Sequence, residues 1–405
     1  MLSLITFISP VTGLVIMLTY FVVNYKKPIP SNIKKFTIPV AICFAQYGYS
    51  IVSKNTSDLN RYYEQLLTFI GPLNSIFKGD SENLYTRDVL FYLVNRTGDS
   101  QLLTYIVGFV IYGIAFYVLF DLVEKNRNVL STRDLLFMII VMVCVVIPAN
   151  AIGNVRNITA YMLISFATYR DIVQKKRNLL TLFLYIVPLM LHSAAVFMLI
   201  IRILQGLVKK IGLFSLVIAV FLPTLINVAY EYLAVIPGSL LKAGVQKAYS
   251  YLNWTDGGWA TAVQNSMSDR IGRLYGIFFL IVVIGMILYL SKKSDGIKVL
   301  NEPMVGYILF VAVCALGCLY ITTGAFWRFE AVVTLLCPVY LVPILRYGRV
   351  KVEGILRLVF LSVVAMAGVN MVILINNFEV LDMIANYVVG NGVTIVIDLF
   401  RCIML

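Results

Sequence analysis

Apolar runs of about 20 residues, separated by short polar and basic segments, recur along the whole chain; "LSLITFISPVTGLVIMLTYFVV" near its start is one. A helix of that length crosses the roughly 30 Å hydrocarbon core of a bilayer. The runs predict spans near residues 2–24, 36–53, 102–123, 134–153, 157–170, 211–236, 274–291, 303–322, 329–345 and 354–376. A membrane β-barrel would show short alternating segments instead, and in lipid each backbone amide has to be satisfied within its own segment. The pattern therefore predicts an all-α, polytopic integral membrane protein with about 10–12 transmembrane helices. It reads as a single membrane domain over residues 1–405. No repeat of 20–50 residues and no pair of similar halves is visible. The first 24 residues lack a basic leader and a small-residue cleavage site, so they read as a retained span.

Composition agrees with the pattern. Of 405 residues, 60% are hydrophobic and 13% charged, with a mean hydropathy of +0.89. The net charge of +13 does not point to nucleic acid, because the basic residues gather in short segments between apolar runs. "NYKKPIPSNIKK" (24–35), "EKNRNVLSTR" (124–133) and "RDIVQKKR" (170–177) are the kind of loop that stays cytoplasmic. That assignment puts the N-terminus outside, together with residues 54–101, which hold amphipathic segments, and the turn at 154–156. Parity then constrains "RNLLTLFLYIVPLMLHSAAVFMLIIRILQGLVKK" (177–210), which is basic at both ends. A straight crossing would export every later basic loop, including "RYGRVK" (346–351). A segment that enters, breaks near Pro188 and His192, and returns keeps them inside. The expectation is a broken or re-entrant helix pair near 178–204, with the loop 237–272 outside as a lid over a cavity.

One segment raises a specific question. Arg156 stands alone between two asparagines on the side opposite the basic loops, where orientation does not need it, and its cost at a membrane boundary calls for a partner. The stretch "NVRNITAYMLISFATYRDIVQKKR" (154–177), followed after a short gap by "LHSAAVF", resembles the core signature of the EpsG-type proteins, a branch of the Wzy-like polymerases of bacterial surface polysaccharides. "SDLNRYYEQ" (57–65) and "GAFWRFEAVVTLLCPVYLVPIL" (324–345) are similar to two further regions of that family, whereas "RDVLFYLVN" (87–95) lacks the Glu-Pro often found there. The resemblance implies a GT-C-like architecture in the bacterial cytoplasmic membrane with the active site facing outward. It also implies a glycosyltransferase that moves a growing glycan from undecaprenyl pyrophosphate to the non-reducing end of the next lipid-linked repeat unit. The enzyme would be metal-independent and without cofactor, cationic side chains standing in for a divalent ion. Its partners would be undecaprenyl-pyrophosphate-linked glycans, the lipid bilayer, a flippase and a chain-length regulator, with no nucleic acid.

Such chemistry needs the leaving diphosphate neutralised and the acceptor hydroxyl oriented and relieved of a proton. Arg156 and Arg328 are the natural anion ligands, since guanidinium is always charged and binds phosphate oxygens through a planar fork; snorkelling to headgroups is the plain alternative. Arg61 joins them, and Arg270 and Arg273 would hold a second diphosphate or lipid headgroups. His192, the chain's sole histidine, is either a base, a phosphate ligand or a satisfied structural residue. Asp58 competes as base, and Glu330 would orient Arg328, replace Asp58 or serve as a plain ion-pair partner. Tyr62, Trp254 and Trp327 offer ring faces to sugar, although tryptophan is also an ordinary interface residue. The six cysteines lie in apolar runs; Cys314 and Cys318 share a helix face with no His or carboxylate nearby in sequence to complete a metal site. Competing functions are an O-antigen ligase with the same donor, and a lipid-linked oligosaccharide flippase or transporter.

Overall fold

A computed structural model describes residues 1–25, 27–54, 58–69, 84–206, 267–291, 296–319 and 323–390, with isolated positions between 217 and 228 and between 392 and 397. It is 83% helical, and no strand occurs among the described residues. In chain order the helices are α1 (Leu2–Ile8), α2 (Pro10–Val23), α3 (Thr37–Tyr49), α4 (Asp58–Leu66), α5 (Tyr85–Thr97), α6 (Gln101–Lys125), α7 (Thr132–Cys144), α8 (Pro148–Gly153), α9 (Asn157–Ile172), α10 (Leu179–Leu191) and α11 (Val196–Leu204). There follow α12 (Met267–Ser291), α13 (Gly296–Asn301), α14 (Val305–Cys318), α15 (Thr323–Leu335), α16 (Pro338–Asn377) and α17 (Val380–Val389). This is an all-α polytopic membrane protein.

Among the described residues, three helical stretches are long and apolar enough to cross a membrane: Gln101–Lys125, Arg270–Leu290 and Glu353–Asn377. Ala325–Leu335 and Pro338–Tyr347 form a fourth as a pair bent by 49°. Proline accounts for shorter pieces elsewhere. Pro10 has no N–H to continue α1, so the first predicted span divides into α1 and α2 at Ser9. Pro148 likewise opens α8 and cuts the predicted 134–153 span after α7. Apart from isolated positions between 217 and 228, the predicted 211–236 span lies outside the described residues, as do residues 237–266 of the expected lid; 267–272 are the first turns of α12.

Close backbone approach builds the centre. A Cβ on Gly48 would stand 2.3 Å from the Thr104 carbonyl oxygen, and one on Gly108 would stand 2.6 Å from that of Phe44. Two glycines thus let α3 and α6 touch through their backbones, the small-residue device by which membrane helices gain packing contact. Beside them Phe44 stacks on Tyr112 at 3.8 Å.

The basic segments converge on one end of the bundle. The Thr132 hydroxyl donates to the Lys27 carbonyl at 3.0 Å, and Lys34 pairs with Asp121 at 2.7 Å and with Glu124 at 2.9 Å. Tyr169 donates to Asp121 at 2.5 Å, and Gln174 donates to Tyr117 at 2.9 Å, bringing the end of α9 to the same place. The run α16 obeys the same rule by doubling back. Cys337, just before it, reaches the Met138 carbonyl, and Phe360 packs its ring 6.4 Å from that of the adjacent Phe137. A straight helix would hold residues 337 and 360 about 35 Å apart. The reversal falls at the basic segment 346–351, where Tyr347 donates to Glu302 at 2.8 Å.

The 178–204 segment is a hairpin against α9. Arg170, near the end of α9, donates to Thr181 and Asn178 at 3.3 Å each, at the start of α10. The hairpin then returns: Arg202, near the end of α11, pairs with Asp171, which also binds Arg177 at 2.6 Å. Its turn is His192, in extended backbone (φ −154°, ψ 117°), followed by a single 3-10 turn over Ser193–Ala195. Pro188 stays within α10, and its carbonyl accepts from the His192 amide at 2.9 Å. Entry, break and return are as parity required.

Candidate functional site

The tip of that hairpin and the start of α9 meet at the end of the bundle away from the basic loops. Arg156 is the N-cap residue of α9, so its side chain leaves from the positive end of a sixteen-residue helix, a place that favours anions. The residue is only 8% exposed. Its guanidinium lies 4.9 Å from the centroid of the Tyr62 ring, and that of Arg61 lies 5.8 Å from the same ring. Tyr62 itself is buried on α4, with its edge toward Phe91 at 6.2 Å. Its ring is therefore enclosed beneath guanidinium rather than open for a sugar to stack on. Tyr63, its neighbour, is committed to Gln101, to which it donates at 2.9 Å. Asp58 is the first residue of α4, one turn before Tyr62; its side chain lies outside the described residues.

Asn157, the first residue of α9, joins the other two elements. Guanidinium only donates, so the Asn157 carboxamide oxygen faces Arg328, accepting from Nε at 2.9 Å and from Nη2 at 3.1 Å. The amide nitrogen then faces His192, 2.5 Å from Nε2 and 3.3 Å from Nδ1. Asn157 and His192 are each 1% exposed, whereas Arg328 is half-buried. A layer of rings supports the group from below: Tyr161 stacks on Phe329 at 5.4 Å, Phe197 meets Phe329 edge-on at 6.4 Å, and Tyr161 lies 6.4 Å from the imidazole. Arg156 against Tyr62 and Asn157 against Arg328 are thus consecutive residues at the start of α9.

On the far side of α15, α12 is admitted by two glycines one turn apart. A Cβ on Gly272 would lie 3.2 Å from the Trp327 ring, and one on Gly276 would lie 3.2 Å from Phe326 and 3.5 Å from the Glu330 carboxyl carbon. Trp327 is half-buried in this seam, and Arg273, next to Gly272, is half-buried at its edge, while Arg270 is exposed. Glu330 does not orient Arg328. Two residues on in a helix is about 200° round the axis, so the carboxyl faces α12 instead. It is fully buried, and neither oxygen has a hydrogen-bond partner among the described residues. Trp254 lies outside the described residues, as does Trp259.

The structure therefore sets Arg61 and Arg156 around Tyr62, and Arg328 and His192 around the next residue, Asn157, with Arg273 and Trp327 on the seam between α12 and α15. Asn157 was absent from the sequence-based candidates. The only signal for it was a buried-type helix start carrying an amide immediately after an isolated arginine. Chemically, fixed cations and a helix N-terminus in a low-dielectric setting suit an anion with several oxygens. No curated protein and no solved structure matches the chain, so the GT-C-like expectation rests on the sequence resemblance. The EpsG family matches residues 33–388, which takes in every element of this site. That span covers most of the chain, and the chain belongs to the EpsG family, with a polysaccharide polymerase-type role.

Proposed function

We propose that this protein polymerises surface polysaccharide at the outer face of the bacterial cytoplasmic membrane. It transfers a growing glycan from undecaprenyl pyrophosphate to the non-reducing end of a lipid-linked repeat unit. What supports this reading is that Arg156 and Asn157, the residue that Arg328 reaches, are consecutive at the start of α9, at the bundle end opposite the basic loops. Basic loops mark the cytoplasmic side, so the anion site faces outward.

In the transfer the bond from the acceptor oxygen to the anomeric carbon forms while the bond from that carbon to the phosphate oxygen breaks. The electron pair leaves with the diphosphate, whose growing charge Arg156, Arg328 and Arg61 neutralise. Fixed charges aimed at developing charge lower such barriers by several kcal/mol each. The acceptor proton goes to a carboxylate, and Asp58 on α4 is the group proposed for it. Arg273 holds the second lipid diphosphate, with Trp327 and Trp254 against sugar. The cationic set makes a divalent ion unnecessary. A flippase supplying repeat units and a chain-length regulator are the proposed partners.

The test is single-turnover transfer by purified protein with one defined lipid-linked repeat unit. Arg156→Lys keeps the charge but loses the fork, and is expected to lose most polymerisation at normal protein level and insertion. Full activity in that variant refutes the diphosphate role. In cells, loss of the protein is expected to leave single repeat units at the surface. Absence of any surface unit would instead identify a flippase, and transfer only to an acceptor outside the repeat-unit pathway would identify a ligase.

A further inference from the structure

Glu330 lies on α15, in the bent pair long enough to cross the membrane, and the transfer chemistry above makes no use of it. Its side chain is buried, and neither carboxyl oxygen meets a hydrogen-bond donor among the described residues. The carboxyl carbon stands 3.5 Å from the Cβ position of Gly276, so the group is turned into the seam between α15 and α12. Tyr275 of α12 and Tyr340 of α16 lie close enough to sense its charge, and Cys144 of α7 lies close to Tyr275. Tyr161 of α9 stacks on the adjacent Phe329, and the packed α14 carries Cys314 and Cys318. Phenols and thiols are ordinarily uncharged at neutral pH, so none of these neutralises a carboxylate. A carboxyl group left without a partner in such a place takes up a proton rather than stay ionised.

The same seam holds an uncommitted cation. Arg273 is half-buried, and its Nε is buried with no hydrogen-bond partner among the described residues. Arg273 comes three residues before Gly276, and side chains at that spacing share a helix face with Cβ atoms about 5–6 Å apart. The Arg273 Cβ is therefore within about 9 Å of the Glu330 carboxyl carbon, a gap that an extended guanidinium closes. We infer that Glu330 is a proton-binding site that decides whether Arg273 is available to a lipid diphosphate. As a neutral acid it leaves the guanidinium to phosphate oxygens at the outer edge of the seam. As a carboxylate it draws the guanidinium inward, into an ion pair beside Gly276, and the phosphate loses a ligand. One proton released makes one ion pair and frees one diphosphate, so rising pH weakens the hold on the lipid. The proton site stands on burial and missing partners; that its anion is the diphosphate of a lipid-linked sugar rests on the polymerase reading.

Full-length protein in nanodiscs serves both halves of the test. At pH 7, well above the ordinary glutamate value of about 4.3, the infrared spectrum is expected to keep the carbonyl stretch of a neutral carboxylic acid. Glu330→Gln is expected to lose that band. Wild type without the band at pH 7 overturns the inference, whether or not any variant folds. In steady-state transfer, the wild-type KM for the lipid-linked repeat unit is expected to rise about 10-fold from pH 6 to pH 9 with kcat little changed, the loss of a charge-assisted contact. Glu330→Gln, permanently neutral and nearly isosteric, is expected to hold the low KM throughout, and Arg273→Gln the high one. Parallel pH profiles in wild type and Arg273→Gln overturn the coupling, and this comparison holds even where the Glu330 variant fails to fold. A folded Glu330→Gln that loses kcat at unchanged KM overturns it as well. A persistent band in a wild-type protein that transfers nothing leaves the proton site standing and sinks the polymerase reading instead.

Discussion

Replacing Tyr62 by leucine removes the ring face on which Arg156 rests while keeping the site apolar. The centroid distance of 4.9 Å and exposures of 8% for Arg156 and 1% for Tyr62 place this cation–π contact in its desolvated regime, worth about 2 kcal/mol. If the ring's contribution is to hold the guanidinium where charge develops, that energy appears in the transition state. It corresponds to a fall of roughly 30-fold in kcat/KM. Some stability also goes, because the buried edge contact with Phe91 is lost and a cavity opens, at about 1–3 kcal/mol. Tyr62→Phe separates the two effects by keeping the face and losing only the hydroxyl, and is expected to stay within about threefold of wild type. The assay is single-turnover transfer in nanodiscs, normalised to folded protein by thermal melting in the same samples. Equal loss in the Phe and Leu variants would show that the hydroxyl matters and the face does not. Full activity in Tyr62→Leu would show that Arg156 needs no ring to hold it.

Other consequences can be checked separately. Gly276→Val forces a branched side chain against Phe326 and the Glu330 carboxyl, and is expected to destabilise the α12–α15 seam by about 1–3 kcal/mol, read as a lowered melting temperature. Glu64, Arg127 and Glu353 are exposed, so cysteine at position 64 is expected to label from outside and at 127 and 353 only from inside; the reverse pattern inverts the proposed orientation. Cys43, Cys314, Cys318 and Cys337 are buried, whereas Cys144 is half-buried and Cys402 lies outside the described residues, so the labelling background replaces Cys144 and Cys402. Hydrogen bonding to Asp121, and then to Glu124, pushes the Lys34 ammonium above its ordinary value against its partial burial. A raised folded value means that its contribution is complete below about pH 10.4 and is lost only as pH rises through the folded value. The melting difference between wild type and Lys34→Met is therefore expected to stay constant from pH 7 to about pH 10; its disappearance by pH 9 would contradict the pairing.

Much of the architecture could be read from the chain because lipid leaves few choices. Apolar length marks helices, and basic clusters mark a common side. Those two constraints together required residues 178–204 to turn back, and Arg202 beside Asp171 is the same statement in coordinates. Arg156 stood out by its cost where it stands, and Arg328 and His192 by the family resemblance. What escaped depends on direction rather than position. Tyr62 lies in the right place, but which way its ring faces is decided by α5 and α9 packing on it. Glu330 sits two residues from Arg328, and only the helical turn reveals that the two look opposite ways. Asn157 resembled a flanking residue, because an amide earns a role only from the two partners brought to it by α15 and the hairpin. The doubling back within residues 338–377 is legible by contrast, since "RYGRVK" separates the predicted spans 329–345 and 354–376.

The hairpin's two arms have 13 and 9 helical residues, and each is shorter than the 17 or so that a helix needs to span a bilayer unaided. Neither arm has an independent claim on the membrane, and the irregular backbone at the tip is tolerable there only when enclosed by protein. During synthesis α9 is therefore in place before its neighbour can settle. The histidine gains its asparagine partner as the hairpin docks, whereas the arginine of α15 arrives well over a hundred residues later. A ribosome-bound chain ending before α15 would hold Arg156, Asn157 and His192 and still lack Arg328, which makes completion of the proposed anion site a late event in biogenesis.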